Sequence, residues 1–375
     1  MILKKVLQGW MGSRPERETG RSMNWKTNAL KLMALFAIIA FSLSRMIVDH
    51  QVGMMLFYSA VLVILVFASM MTGGTAKPNS PAMDEMARRS SIWWWMIAVF
   101  ALAISTDRIA SFVLLGILCF LALREFNLIL PLEMTAPDRS LTFRNRIPVY
   151  FSYAVIPLVV LLAYIEWYAF FIILVPVYLF ILAPILLVLQ DRTDGVLQTL
   201  GIIVLGFTFF IYNLGHSLFL INISPMLLFF CLVLTEARDI ISVALNGAFN
   251  RYIEHNPQRK RSFILNLRIA QHVNPDATYA GAALTSVITA ILALPFVPVM
   301  PEIGYYHLTV PSAMACGLVI GIAGQLGELV FAMIRKDAAS GMARSTSEVA
   351  GILDKIDSLI FTIPVTFHVI YLWYF

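Results

Sequence analysis

The chain has 375 residues, of which 59% are apolar and only 13% charged, with a mean hydropathy of +0.81. This balance excludes a soluble domain and describes an all-α, polytopic integral membrane helix bundle. Short alternating segments of the β-barrel kind are absent, and the formal charge of +5 is concentrated outside the apolar runs.

Residues 1–27 form a basic segment. Ile2, Leu3, Val6, Leu7 and Trp10 fall at helical spacing beside Lys4 and Lys5. Such a piece either lies along a membrane surface or trails as a basic tail. No small-residue cleavage site follows an apolar core, so a removable signal peptide is not expected. A bilayer needs about 20 apolar residues per helix. The pattern predicts about eleven spans (9–11), at 28–46, 52–71, 92–106, 109–124, 147–164, 167–189, 198–214, 217–236, 278–298, 309–333 and 357–375. Trp93, Trp94 and Trp95 open the third, and Trp373, Tyr374 and Phe375 close the last, as aromatic belts do.

With the N-terminus inside, the loops around 72–91, 124–146, 190–197, 237–277 and 334–356 face the cytoplasm. They hold nearly all loop cations, among them Arg88, Arg89, Arg124, Arg139, Arg144, Arg146, Arg259, Lys260, Arg261, Arg335 and Lys336. The positive-inside rule supports this orientation, and the basic face suits anionic membrane lipids. Cys119, Cys231 and Cys316 lie inside apolar runs and read as core or lipid-facing residues. The six histidines lack metal-ligand spacing.

Before residue 215 the spans are almost free of charge; after it, ionisable residues enter them. Such groups mark a pair or a function, because lipid penalises them. Glu236, Arg238 and Asp239 stand at the expected inner end of the eighth span, where salt bridging and a site are both open readings. Gly317, Gly321 and Gly324 recur at three- and four-residue spacing, which favours close helix packing. Glu328 lies seven residues before Arg335, on the order of 10 Å into the span. It must be protonated, paired or turned to a wet cavity. In GILDKIDSLIF at 351–361, Asp354 and Asp357 share a helix face. Two hard ligands there suit Mg²⁺, and helix capping is the equal alternative.

These residues resemble the CDP-diacylglycerol synthase (phosphatidate cytidylyltransferase) family, in a divergent bacterial paralogue branch. Gly351, Asp354, Ile356, Asp357 and Ser358 match its C-terminal signature, with Lys355 replacing arginine. Gly324, Leu326 and Glu328 resemble G-D-L-x-E-S, and Lys336 and Asp337 resemble K-D-S-G. Pro275, Thr278 and Gly281 fit S-P-x-K-T-x-x-G, and Asp239 matches an aspartate before the nucleotide loop.

The resemblance implies a cytidylyltransferase-like membrane domain at 126–375, with extra N-terminal transmembrane helices at 28–125. It implies a cytoplasm-facing site in a bacterial inner membrane, where phosphatidate attacks the α-phosphorus of CTP, releasing pyrophosphate and forming CDP-diacylglycerol. Asp354, Asp357 and Asp337 would hold Mg²⁺, with Lys336 beside phosphate. Asp239, Thr278, Glu328, Arg335 and Ser358 would line the substrate site. A homodimer is compatible with the pattern, and no nucleic-acid partner is expected.

The chain departs from the family pattern at several points. Asn274 replaces serine, Ala277 replaces lysine and Asp276 is an added acid. Gln325 replaces aspartate, Leu329 replaces serine, and residues 347–350 replace P-G-H-G. These changes leave a second reading, a catalytically lapsed member that binds lipid or acts as a scaffold.

Overall fold

The computed structural model describes residues 25–48, 52–74, 94–129, 147–189, 195–255, 267–300, 307–341 and 352–375. The basic segment at its first residues, Trp93, the loop arginines at 88, 89, 139, 144, 146, 259 and 261, Arg344 and the stretch 347–350 lie outside the described residues, as does the side chain of Asp354.

The chain is a bundle of apolar helices, as its composition requires. In order they are α1 (Trp25–Val48), α2 (Val52–Gly74), α3 (Trp94–Ser105), α4 (Arg108–Ile129), α5 (Ile147–Tyr164), α6 (Tyr168–Val188) and α7 (Val196–Ile223). There follow α8 (Pro225–His255), a small antiparallel hairpin of β1 (Arg268–Ala270) and β2 (Asn274–Thr278), α9 (Tyr279–Leu292), α10 (Val310–Gly341) and α11 (Leu353–Tyr374). Among the described residues, six helices are both long and apolar enough to cross a membrane. The protein is a multi-pass membrane bundle, because only helices satisfy all backbone polar groups within a segment in lipid.

Two expectations change here. The break expected between the spans 198–214 and 217–236 lies at Ser224, where the backbone becomes extended. The Ser224 hydroxyl accepts the Met226 N–H at 3.3 Å, and Pro225 opens α8, where its missing N–H costs nothing. The loop expected over 237–277 is instead helix as far as His255, then the hairpin. Glu236, Arg238 and Asp239 therefore sit in the middle of a 31-residue helix rather than at its end. Charges read as a span terminus are tolerated there because neighbouring helices cover and pair them.

α6 and α7 each contain a widened π-helical stretch, Leu174–Leu179 and Phe207–Asn213. The first holds Pro176, which has no N–H to continue the regular ladder.

At one end of the bundle, Arg108 joins three segments. It bonds the Tyr164 carbonyl at 3.1 Å, the Glu166 carboxylate at 2.7 Å and Asn222 at 3.0 Å. Asn222 donates back to the Ala163 carbonyl at 2.7 Å.

α10 is the central element of the C-terminal half and packs on α8, α9 and α11. Its glycines make this possible. A Cβ at Gly321 would lie 2.5 Å from Ser286 Cα, and one at Gly317 would lie 2.7 Å from Ala290 Cα, both on α9. The small-residue stripe thus brings two backbones into contact, as its spacing implied.

Candidate functional site

The polar residues of α8 form one stripe. Arg238 and Asp239, then Ser242, Asn246 and Asn250, recur at three- and four-residue steps, so they share a face. That face meets α10, α11 and β2.

At the deep end of the stripe, the Arg238 side chain is fully buried. Its Nη1 donates to Asp239 Oδ1 and, at 3.0 Å, to Glu328 Oε2 on α10. Its Nη2 donates to Gln325 Oε1 at 2.8 Å. Ser358 of α11 donates to the same Asp239 oxygen at 3.1 Å. Glu328 is thus paired, one of the three outcomes its depth allowed. Glu236 turns elsewhere, lining a small apolar void beside Met96, Ile97 and Phe100 of α3.

The stripe continues outward as a relay. Ser242 donates to Gln325 Oε1 at 3.4 Å, Asn246 to Ser242 at 3.4 Å, and Thr278 to Asn246 at 3.3 Å. The Thr278 hydroxyl also accepts the Gly281 N–H at 3.0 Å, capping α9. Thr278 is buried, and its hydroxyl is engaged in this structural role. Asp276, the added acid, accepts from Asn250 at 3.0 Å, while Arg268 donates to Asn250 Oδ1 at 3.0 Å and to the Asp276 carbonyl at 3.2 Å.

The start of α11 forms the second cluster. The backbone amides of Ile352 and Leu353 donate to the two oxygens of Glu125, at the end of α4, at 2.6 and 3.4 Å. The orphan amides of this helix are therefore satisfied by a carboxylate more than two hundred residues away in sequence. Asp357 is nearly buried; its Oδ1 accepts the Ser358 N–H at 2.8 Å and its Oδ2 meets Arg335 of α10 at 3.4 Å. Lys336 is exposed and donates to the His272 carbonyl at 3.0 Å, tying the hairpin turn to α10. Asp337 is exposed on the next position of α10.

The structure thus brings Asp239, Glu328 and Ser358 together around Arg238, and Asp357 together with Arg335 one residue along α11. Thr278 joins them through the relay, whereas Lys336 serves the hairpin. Arg238 as the hub, Glu125 and the Ser242, Asn246 and Asn250 stripe are new. Arg238 had a sequence signal as a charge in an apolar span and the stripe had one in its regular spacing, whereas Glu125 had none.

Among the described residues, no three His, Cys, Asp or Glu side chains are arranged to hold a metal. Mg²⁺ that brings its own phosphate and water ligands asks for only one or two carboxylates. Asp357 fits that smaller demand.

The cytidylyltransferase family model matches residues 87–251 and 262–373. The chain belongs to this cytidylyltransferase family. The match begins ahead of α3, so it takes in α3 and α4 together with the whole polar stripe and α11. The chain is 26% identical over 295 residues to the uncharacterized protein YnbB of Escherichia coli K12, covering 76% of this chain and 87% of YnbB. It is 22% identical over 142 residues to the phosphatidate cytidylyltransferase of Chlamydia muridarum, covering 38% of this chain and 42% of that enzyme. It is 24% identical over 103 residues to the phosphatidate cytidylyltransferase of Chlamydia pneumoniae, covering 27% and 33%. The chain thus spans less than half the length of these two enzymes. No solved structure matches it.

Proposed function

We propose that this cytidylyltransferase-family protein transfers a cytidylyl group from CTP to a lipid phosphate of the phosphatidate type, forming CDP-diacylglycerol and releasing pyrophosphate. The observation that carries the reading is the meeting of Asp357, Arg335, Ser358 and Asp239 at one place in a family member's bundle, joined by hydrogen bonds to the buried Arg238 centre. A phosphate oxygen of the lipid would attack the α-phosphorus as the bond to pyrophosphate breaks. Arg335, which meets Asp357 at 3.4 Å, and Lys336, at the next position of α10, are cations suited to the triphosphate. Mg²⁺ would be held by Asp357 with Asp354 and Asp337, and would supply charge neutralisation on the phosphates. Asp239, Glu328 and Thr278 would act behind the substrate, keeping α8, α10 and β2 in register.

The same proposal places the protein in a bacterial inner membrane with the site and N-terminus on the cytoplasmic side, where CTP is supplied. The distribution of basic loops supports that orientation and contact with anionic lipids. A homodimer belongs to the proposal as well, to be checked by mass measurement in nanodiscs.

Purified protein incubated with labelled CTP, Mg²⁺ and phosphatidate should yield a labelled lipid. Asp357→Asn should lower the rate by on the order of 100-fold without loss of folded protein. Absence of product with several lipid phosphates, while an active relative turns over alongside, would sink the enzyme reading. The commitment of Thr278 to a helix cap favours a second reading, a lipid-binding member without turnover. Saturable lipid-phosphate binding without product would establish it.

A further inference from the structure

We propose that Arg238 is the resident cation of the centre between α8, α10 and α11, so that Asp239 and Glu328 take no divalent metal. The inference deepens the reading of this centre as part of a cytidylyltransferase-type site.

Two carboxylates from different helices, brought together in a covered place, need a positive charge between them. Either a metal ion or a side chain can provide it. Here a guanidinium does, surrounded by oxygens as an ion would be. Asp239 Oδ1 and Glu328 Oε2 share Nη1, and Gln325 Oε1 takes Nη2. The charge on arginine is permanent and its fork of donors is fixed, so this cation is not lost by deprotonation.

Two neighbouring residues are shaped to this occupant. Gln325 presents a neutral amide oxygen, a good acceptor for N–H but a poor substitute for a carboxylate toward Mg²⁺. Gly324 leaves room for the arginine stem, since a Cβ there would lie 3.0 Å from Arg238 Cδ and 3.3 Å from Nε. The Nε atom lies buried against this glycine with no hydrogen-bond partner, so the head group is held from its far end alone. Ser358 and Ser242 complete the shell by donating to Asp239 and Gln325. The consequence is a division of labour. Any Mg²⁺ requirement comes from the nucleotide at Asp357, while the deep centre already holds a cation between its carboxylates.

The test uses full-length protein in detergent without nucleotide, and reads Mn²⁺ binding by electron paramagnetic resonance together with melting temperature. The wild type should melt at the same temperature in EDTA and in millimolar Mg²⁺, and Asp239→Asn should leave its Mn²⁺ binding unchanged. Arg238→Ala should bind Mn²⁺ that the wild type does not, and the ion should recover part of its lost melting temperature. Arg238→Lys, which keeps a charge at the position, should gain none. Mn²⁺ bound by the wild type and lost in Asp239→Asn would overturn the proposal, as would a folded Arg238→Ala that gains no Mn²⁺. If Arg238→Ala does not fold, the wild type and Asp239→Asn decide by themselves. These readouts do not involve transfer, so an inactive protein leaves the inference standing, and Mn²⁺ at Asp239 in an active one refutes it alone.

Discussion

The two halves of the bundle are held together by different means. From α1 to α7 the contacts are apolar and aromatic, with Phe126 against Phe210 and Phe171 against Tyr212 and Phe219. The main polar fastening described there, at Arg108, sits at the helix ends. From α8 to α11 the helices meet over buried charge and backbone-to-backbone contact. Lipid tails are as apolar as leucine, so apolar contact gives membrane helices little reason to prefer one partner over another. Buried ion pairs and glycine contacts specify the neighbour, and the candidate site lies in the half built from them.

This comparison is broken most severely at Arg238. Arg238→Met leaves Asp239 and Glu328 without their shared cation and should cost about 3–5 kcal/mol, seen as a large fall in melting temperature in detergent. A melting temperature near that of the wild type would mean that the charge cluster does not organise the C-terminal half. Next is Gly321→Val, which forces α9 and α10 apart and should cost about 1–3 kcal/mol; intramolecular distances by spin labels on these helices should lengthen.

Smaller again is Glu125→Ala. Removing the remote cap of α11 should cost about 1 kcal/mol, with faster amide exchange confined to the first turn of that helix. Unchanged exchange at Ile352 and Leu353 would show that the contact is not used. The smallest effect belongs to Arg108→Ala in the scaffold. Its bond to Glu166 joins side chains that are 45% and 64% exposed, so about 0.5 kcal/mol is expected. A larger loss than that of Glu125→Ala would erase the contrast between the halves.

Much of this was legible from particular residues. Glu328 had to be protonated, paired or turned to a wet cavity, and it is paired, with Arg238 ninety positions away. The glycine spacing at 317 and 321 announced a close helix neighbour, though not that it would be α9. Thr278 reads as a site residue by resemblance, yet its hydroxyl caps a helix, and nothing in the spacing of NPDATYAG distinguishes the two roles. Glu125 carries no local signal at all, since its partners are backbone amides brought to it by the fold.

The sequence by itself determined the class of the molecule and the half in which polar chemistry would gather. Those follow from the cost of exposing polar groups to lipid, a property of each segment taken alone. Only the tertiary structure decided that Glu236, Arg238 and Asp239 lie in mid-helix, that Arg238 comes between Asp239 and Glu328, and that Glu125 caps α11. Each of those depends on which groups from distant segments come within hydrogen-bonding distance, and distance between segments is set by packing.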